Sequence, residues 1–131
     1  MKTLILRRLH QGADSMKTNE LIGAALDWAV AKCEGEEVRL IKGQLETLWT
    51  DNGYKPSTNW AQGGPIIERE GINLDNYAKN PKWSAWTPAP DRESGEAQAY
   101  GPTPLIAAMR CYVASKLGDD VTLPAELEQI A

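Results

Sequence analysis

Apolar positions along the chain gather into two dense blocks, one near each end, with a middle rich in turns between them. In the later block Leu105, Ile106, Ala108, Met109, Tyr112, Val113 and Leu117 cover most of the circumference of a helix. The pattern predicts a helix enclosed by protein rather than laid on a surface. Its start is marked by Thr103, which can cap with its side chain, and by Pro104, whose missing N–H costs nothing at the first helical position. Its end is marked by Lys116 beside the negative pole of the dipole and by Gly118, suited to a closing residue of positive φ. Arg110 interrupts the apolar surface, and a guanidinium there needs a carboxylate, an anionic ligand or solvent.

The earlier block predicts a first helix capped by Thr18 or Asn19, running to about Glu34 and stopped by Gly35. Leu21, Ile22, Ala24, Ala25, Leu26, Trp28, Ala29, Val30, Ala31 and Cys33 leave only a narrow polar stripe, in which Asp27 is a lone charge that mirrors Arg110. Two roles follow for this pair: they meet each other or backbone groups, or they line a ligand pocket.

From Glu37 the period shortens to that of a hairpin across Lys42-Gly43, and Asp51-Asn-Gly-Tyr marks a turn. Lys55 to Trp60 reads as ordered loop, and Gly63-Gly64-Pro65 as the opening of a short helix from Ile66 to Glu70, stopped by Gly71. Ile72-Asn-Leu and Lys82 to Trp86 alternate as strands, Thr87 to Ala99 reads as an exposed loop, and Val121-Thr-Leu leads into a loosely packed final turn from Pro124. The order of elements predicts the α+β class: a small antiparallel sheet packed against two apolar helices, with a short third helix and long loops.

Length allows a single domain. Residues 1–15 develop no amphipathic period, and a second Met-Lys-Thr begins at Met16, so a flexible N-terminal extension over 1–15 and one domain over 16–131 are expected. With Lys+Arg 14 against Asp+Glu 18, general affinity for nucleic acid is not expected. No stretch approaches the length of a membrane span.

Candidate chemistry is sparse. The single histidine, His10, lies in the discounted extension, which removes histidine acid–base chemistry and nucleophilic triads. Cys33 and Cys111 read as reduced core residues, no metal-ligand spacing is present, and neither a cofactor nor catalysis is expected. Five Trp and four Tyr with no Phe do change the picture, because Trp49, Tyr54, Trp60, Tyr77, Trp83 and Trp86 crowd the turn-rich middle. Such rings fill a core, or stack on bases and anchor interfaces.

Three stretches, Leu26 to Cys33, Tyr54 to Gly71 and Tyr100 to Arg110, give the chain its resemblance to the NinX-like proteins, small accessory proteins of lambdoid and related tailed phages that carry a domain of unknown function. The resemblance covers Met16 to about Leu127 and is weakest over Asn73 to Ala99. It implies a phage or prophage origin and residence in the host bacterial cytoplasm. No catalytic residues come with it.

A small accessory protein without catalytic groups is expected to act by binding. The first expectation is counter-defence, in which a homo-oligomer sequesters a nucleotide-derived signal of the ADP-ribose or cyclic-oligonucleotide type. The ligand-binding residues would be Tyr54, Trp60, Gly63, Gly64 and Arg69 from one segment, with Tyr100, Thr103 and Arg110 from the other. Rings would stack on a base, and helix starts at Gly64-Pro65 and Thr103-Pro104 together with arginine would hold phosphate. The alternative is a module that docks on a host enzyme and inhibits it through the same aromatics; a hydrolase acting on such a signal ranks last.

Overall fold

The computed structural model describes residues 13–47, 53–76 and 82–128. In chain order these form β1 (Ala13–Lys17), a 3-10 turn (Thr18–Glu20), α1 (Gly23–Glu34), β2 (Arg39–Ile41), β3 (Gln44–Glu46), α2 (Trp60–Glu70), β4 (Asn73–Asp75), β5 (Trp83–Pro88), β6 (Glu96–Gly101), α3 (Pro104–Leu117), β7 (Asp120–Pro124) and α4 (Ala125–Glu128). All strand pairings are antiparallel: β4-β5-β6 make a three-stranded sheet, while β1-β7 and β2-β3 are separate ribbons. The fold is α+β.

The centre is α3. Thr103 Oγ1 accepts the Ile106 N–H at 3.0 Å, Pro104 occupies the first turn, and every residue from Leu105 to Ala114 is buried. One side meets the inner face of the three-stranded sheet, where Ala85, Ala97, Ala99 and Gly101 keep the layers close. At Gly101 a Cβ would lie 2.7 Å from the Ala107 nitrogen, so glycine sets that approach. Helices α1 and α2 also pack on α3. Enclosure of the apolar helix is therefore achieved within one chain.

The hairpin turn follows its residues. Lys42 and Gly43 both have positive φ, 55° and 79°, as a two-residue turn joining twisted strands requires. Trp49 and Tyr77 lie outside the described residues, as do Asp51 and Asn52 of the expected turn.

Several local readings change. Neither Thr18 nor Asn19 caps α1: the helix begins at Gly23, after the 3-10 turn, while Thr18 Oγ1 donates to the Gly118 carbonyl at 2.7 Å and Asn19 Oδ1 accepts the Tyr100 N–H at 3.0 Å. The second helix starts at Trp60 rather than Ile66. Asn59 caps it by accepting the Ala61 N–H at 2.8 Å, and Pro65, exposed, sits inside the helix. Residues 96–99, expected as loop, belong with Tyr100 and Gly101 to β6, because alternation of Ala97, Ala99 and Gly101 with polar positions suits a strand whose small side chains face a helix.

The stretch from Val121 to Leu127 is not loose: β7 pairs with β1 from Ala13↔Pro124 to Lys17↔Asp120, and Leu123 and Leu127 are buried. Strand β1 thus begins three residues before the expected domain start at Met16.

Candidate functional site

The eight predicted site residues fall in separate places. Gly63 sits where α2 crosses the start of α3; a Cβ there would stand 2.4 Å from the Pro56 carbonyl oxygen and 2.7 Å from Leu105 Cδ1, so its role is close packing. Gly64, one residue on, has only Trp60 within reach, at 3.9 Å. Trp60 is 54% exposed at the first turn of α2. Gly64-Pro65 lies inside a helix and offers no free N–H groups. At the start of α3 the Ile106 and Ala107 N–H groups are already taken by the Thr103 side chain and carbonyl.

Arg110 and Asp27 do not meet. Arg110 Nε donates to the Leu21 carbonyl at 2.8 Å and Nη1 to the Tyr100 carbonyl at 2.7 Å, fastening the segment before α1 to the end of β6. Burial holds its pKa below the usual arginine value, with Glu20 acting the other way. Asp27, 5% exposed on α1, accepts the Ser57 N–H at 2.8 Å and so fixes the Pro56–Thr58 turn that leads into α2. Burial raises the Asp27 carboxyl to about 6, against the opposing pull of Ser57 and Lys55. Both charges serve backbone groups.

Arg69 lies at the far end of α2 from Trp60, roughly 13 Å away at about 1.5 Å per residue. Its guanidinium grips Glu34, with Nη1 3.2 Å from Oε1 and Nη2 2.5 Å from Oε2, and Nε reaches Glu70 at 2.9 Å. Tyr112 donates its hydroxyl to the same Glu34 oxygen at 2.5 Å. Burial pushes the Glu34 carboxyl up, but the hydrogen bonds from Arg69 and Tyr112 outweigh it and leave the pKa below the usual value. Three helices are joined here. Sequence reading counted Tyr112 among the apolar positions and missed the network, since only the fold brings residues 34, 69 and 112 together.

Tyr54 is half-buried beside α1, and its N–H donates to the Leu45 carbonyl at 2.6 Å. Burial, then the charges of Glu34 and Glu36, raise its phenol above the ordinary range. Cys33 and Cys111 are free thiols, both pushed up to about 12 chiefly by burial, which leaves them unreactive near neutrality.

The outer face of the three-stranded sheet is the open aromatic surface. Register places Trp86 opposite Gln98 and Tyr100 opposite Ser84 on that face, so the two rings are diagonal neighbours; each is 39% exposed. Lys82 Nζ stands 5.4 Å from the centre of the Tyr100 ring. Asn73 and Asp75 extend the face on β4, and Glu96 on β6. Of the predicted residues only Tyr100 belongs to it.

Around this frame lie a polar groove of about 540 Å³ between Asn19, Arg92, Ser94, Glu96, Gln98 and Asp119, and an apolar one of about 370 Å³ among Trp28, Val38, Leu40, Leu45 and Leu127. None of the eight predicted residues lines either groove.

The sequence matches the family described as Bacteriophage P22, NinX over residues 17–116. The chain belongs to this family. The NinX match runs from the last residue of β1 to the last turn of α3, and so takes in the Asp27–Ser57 anchor, the Glu34–Arg69–Tyr112 network and the outer sheet face. No curated protein matches the sequence. Among the described residues no helix is long and apolar enough to cross a membrane, and no three His, Cys, Asp or Glu side chains gather where they could hold a metal ion.

Proposed function

We propose that this phage protein acts in the host bacterial cytoplasm without catalysis, as an interaction module that docks on a host protein through the outer face of its three-stranded sheet. The observation that carries this reading is the pairing of exposed Trp86 and Tyr100 on one face, while the two arginines expected to hold phosphate are bonded to other groups of the same chain, Arg69 at the surface and Arg110 in the interior. Large rings with a polar edge are the side chains that dominate binding at protein interfaces. Among the described residues, Lys82 against Asp75 and Glu96 gives this face one positive and two negative charges, which favours a partner protein over a polyphosphate. The test is to purify a host protein cross-linked to the parent, reconstitute the complex and measure Kd. Trp86→Ala should weaken it at least tenfold, and an unchanged Kd in both Trp86→Ala and Tyr100→Ala sinks the docking reading.

Sequestration of a nucleotide-derived signal is the second reading, and one observation favours it: Lys82 beside the Tyr100 ring places a cation next to a stacking surface. Calorimetry with ADP-ribose and with cyclic oligonucleotides decides between the two. Saturable binding lost in Tyr100→Ala, with the nucleotide recovered intact, supports the sponge.

Self-association of the protein is likewise proposed. It now rests on the outer sheet face, since the helices are enclosed by their own chain, and light scattering on the parent and Trp86→Ala tests it.

A further inference from the structure

We infer that the outer edge of β6 is a docking site for an extended segment of a partner polypeptide, held through the backbone of Gln98. The inference rests on the docking reading above and specifies the form of the partner.

Antiparallel pairing leaves every second residue of an edge strand with its N–H and C=O directed away from the neighbouring strand. In β6 those residues are Glu96, Gln98 and Tyr100. The Tyr100 N–H is taken by Asn19 Oδ1 at 3.0 Å and its carbonyl by Arg110 Nη1 at 2.7 Å. The Glu96 carbonyl accepts from Arg92 Nε at 2.9 Å and from the Ser94 hydroxyl at 2.8 Å. Among the described residues, the outward N–H and C=O of Gln98 meet no partner.

An edge strand with free backbone groups is a template for pairing, and proteins close such edges with side chains. Here side chains close both flanks and leave one residue open. That opening lies in the polar groove of about 540 Å³, whose walls are Asn19 at one end and Arg92 at the other. A smaller recess of about 100 Å³ adjoins it, sharing Asn19, Gln98 and Asp119. From Glu96 to Tyr100 the strand covers roughly 13 Å at about 3.3 Å per residue, room for about three residues of extended chain.

The geometry selects the occupant. A strand of another folded sheet, including β6 of a second copy, would need the outward groups of Glu96 and Tyr100, and these are engaged. A single extended segment needs only Gln98, with which it would exchange two hydrogen bonds. Arg92 is paired with Asp119 at 3.0 Å, which among the described residues leaves the Glu96 carboxylate as the uncompensated charge of the groove, so a lysine or arginine in the segment is expected.

The test begins with a linear seven-residue random peptide library displayed on yeast and selected on the full chain; enriched sequences are then remade as synthetic peptides. In the ¹⁵N-labelled parent these peptides should shift the Gln98 amide signal and slow its exchange. Gln98→Ala keeps the backbone and should bind within about twofold of the parent. Gln98→Pro removes the outward N–H while leaving the β5–β6 ladder intact, a place where an edge strand tolerates proline, and should weaken binding about tenfold or more. If Gln98→Pro fails to fold, the amide shift and exchange in the parent decide.

The inference is overturned if no basic peptide is enriched, if the Gln98 amide is unmoved, if folded Gln98→Pro binds as well as the parent, or if that substitution turns a dimer into a monomer. Failure of the docking reading is a separate result. A reconstituted host complex lost in Trp86→Ala but unaffected by Gln98→Pro keeps docking and discards the β6 edge, whereas peptides that require Gln98 without any host complex do the reverse.

Discussion

The backbone N–H of Ser57 donates to a carboxylate oxygen of Asp27 at 2.8 Å, joining the middle of α1 to a turn thirty positions later. This one bond seats the Tyr54–Asn59 segment, and with it the start of α2, on the first helix. The carboxylate is enclosed, and the Ser57 side chain beside it is enclosed as well.

The Asp27 anchor has a pH signature. Its carboxyl titrates at 3.8 when unfolded and at about 6 in the fold, so between those values the folded state holds a proton that the unfolded chain has released. Stability from this group is full below about pH 4 and is lost as pH rises through 6, to a total of about 3 kcal/mol. Chemical denaturation from pH 4 to 7 should show this fall in the parent and a flatter profile in Asp27→Asn. Ser57→Ala keeps the backbone donor but removes the hydroxyl that helps hold the Asp27 carboxyl down, so the fall should move to higher pH.

Arg110 and Asp27 should behave as independent sites. Arg110→Met strands the buried Leu21 carbonyl, at about 1–3 kcal/mol, and the Tyr100 carbonyl, which is part-buried and costs less, so a loss of roughly 2–4 kcal/mol is expected. In a double-mutant cycle with Asp27→Asn the coupling should stay below about 0.5 kcal/mol, as for residues without a shared partner. A coupling above 1.5 kcal/mol would mean that the two charges interact after all.

Adjacent glycines should respond oppositely. Gly63→Ala drives a methyl group into the Pro56 carbonyl and Leu105, and a loss of about 1–3 kcal/mol or more is expected. Gly64→Ala adds its methyl where the nearest atom is 3.9 Å away, and the helix preference for alanine should raise stability by about 0.5–1 kcal/mol. Thermal unfolding of the two single variants checks the contrast.

Glu34 should give an acid limb of the opposite sign to that of Asp27. Its folded pKa lies below the unfolded value of 4.5, so the stability it contributes is present above that value and is lost as pH falls through the folded one. Glu34→Gln should remove this limb. Tyr112→Phe, deleting one bond to a charged acceptor, should cost about 1.5–3 kcal/mol at pH 7. Acid titrations of unfolding, followed by circular dichroism, separate the two effects.

The sequence by itself determined the parts whose cause is local. Thr103, Pro104 and the apolar surface that follows, broken by Arg110, define α3; Gly35 and Gly71, both left-handed at φ 72° and 64°, end α1 and α2; Lys42-Gly43 makes the hairpin turn. Caps, turns and amphipathic period act over a few residues, so their outcome is written where they stand. Tertiary structure decided the rest. Thr18 and Asn19, good caps by type, were diverted to Gly118 and Tyr100 because the fold offered them partners about eighty to a hundred positions away. Asn59 outranked Pro65 as a helix start. Alternating small residues became β6 only because α3 was there to cover them. The partners of the two expected phosphate-binding arginines were decided in the same way: Arg69 and Arg110 are cations in any sequence, but only the three-dimensional arrangement of Glu34, Tyr112 and two carbonyls fixes what each one holds.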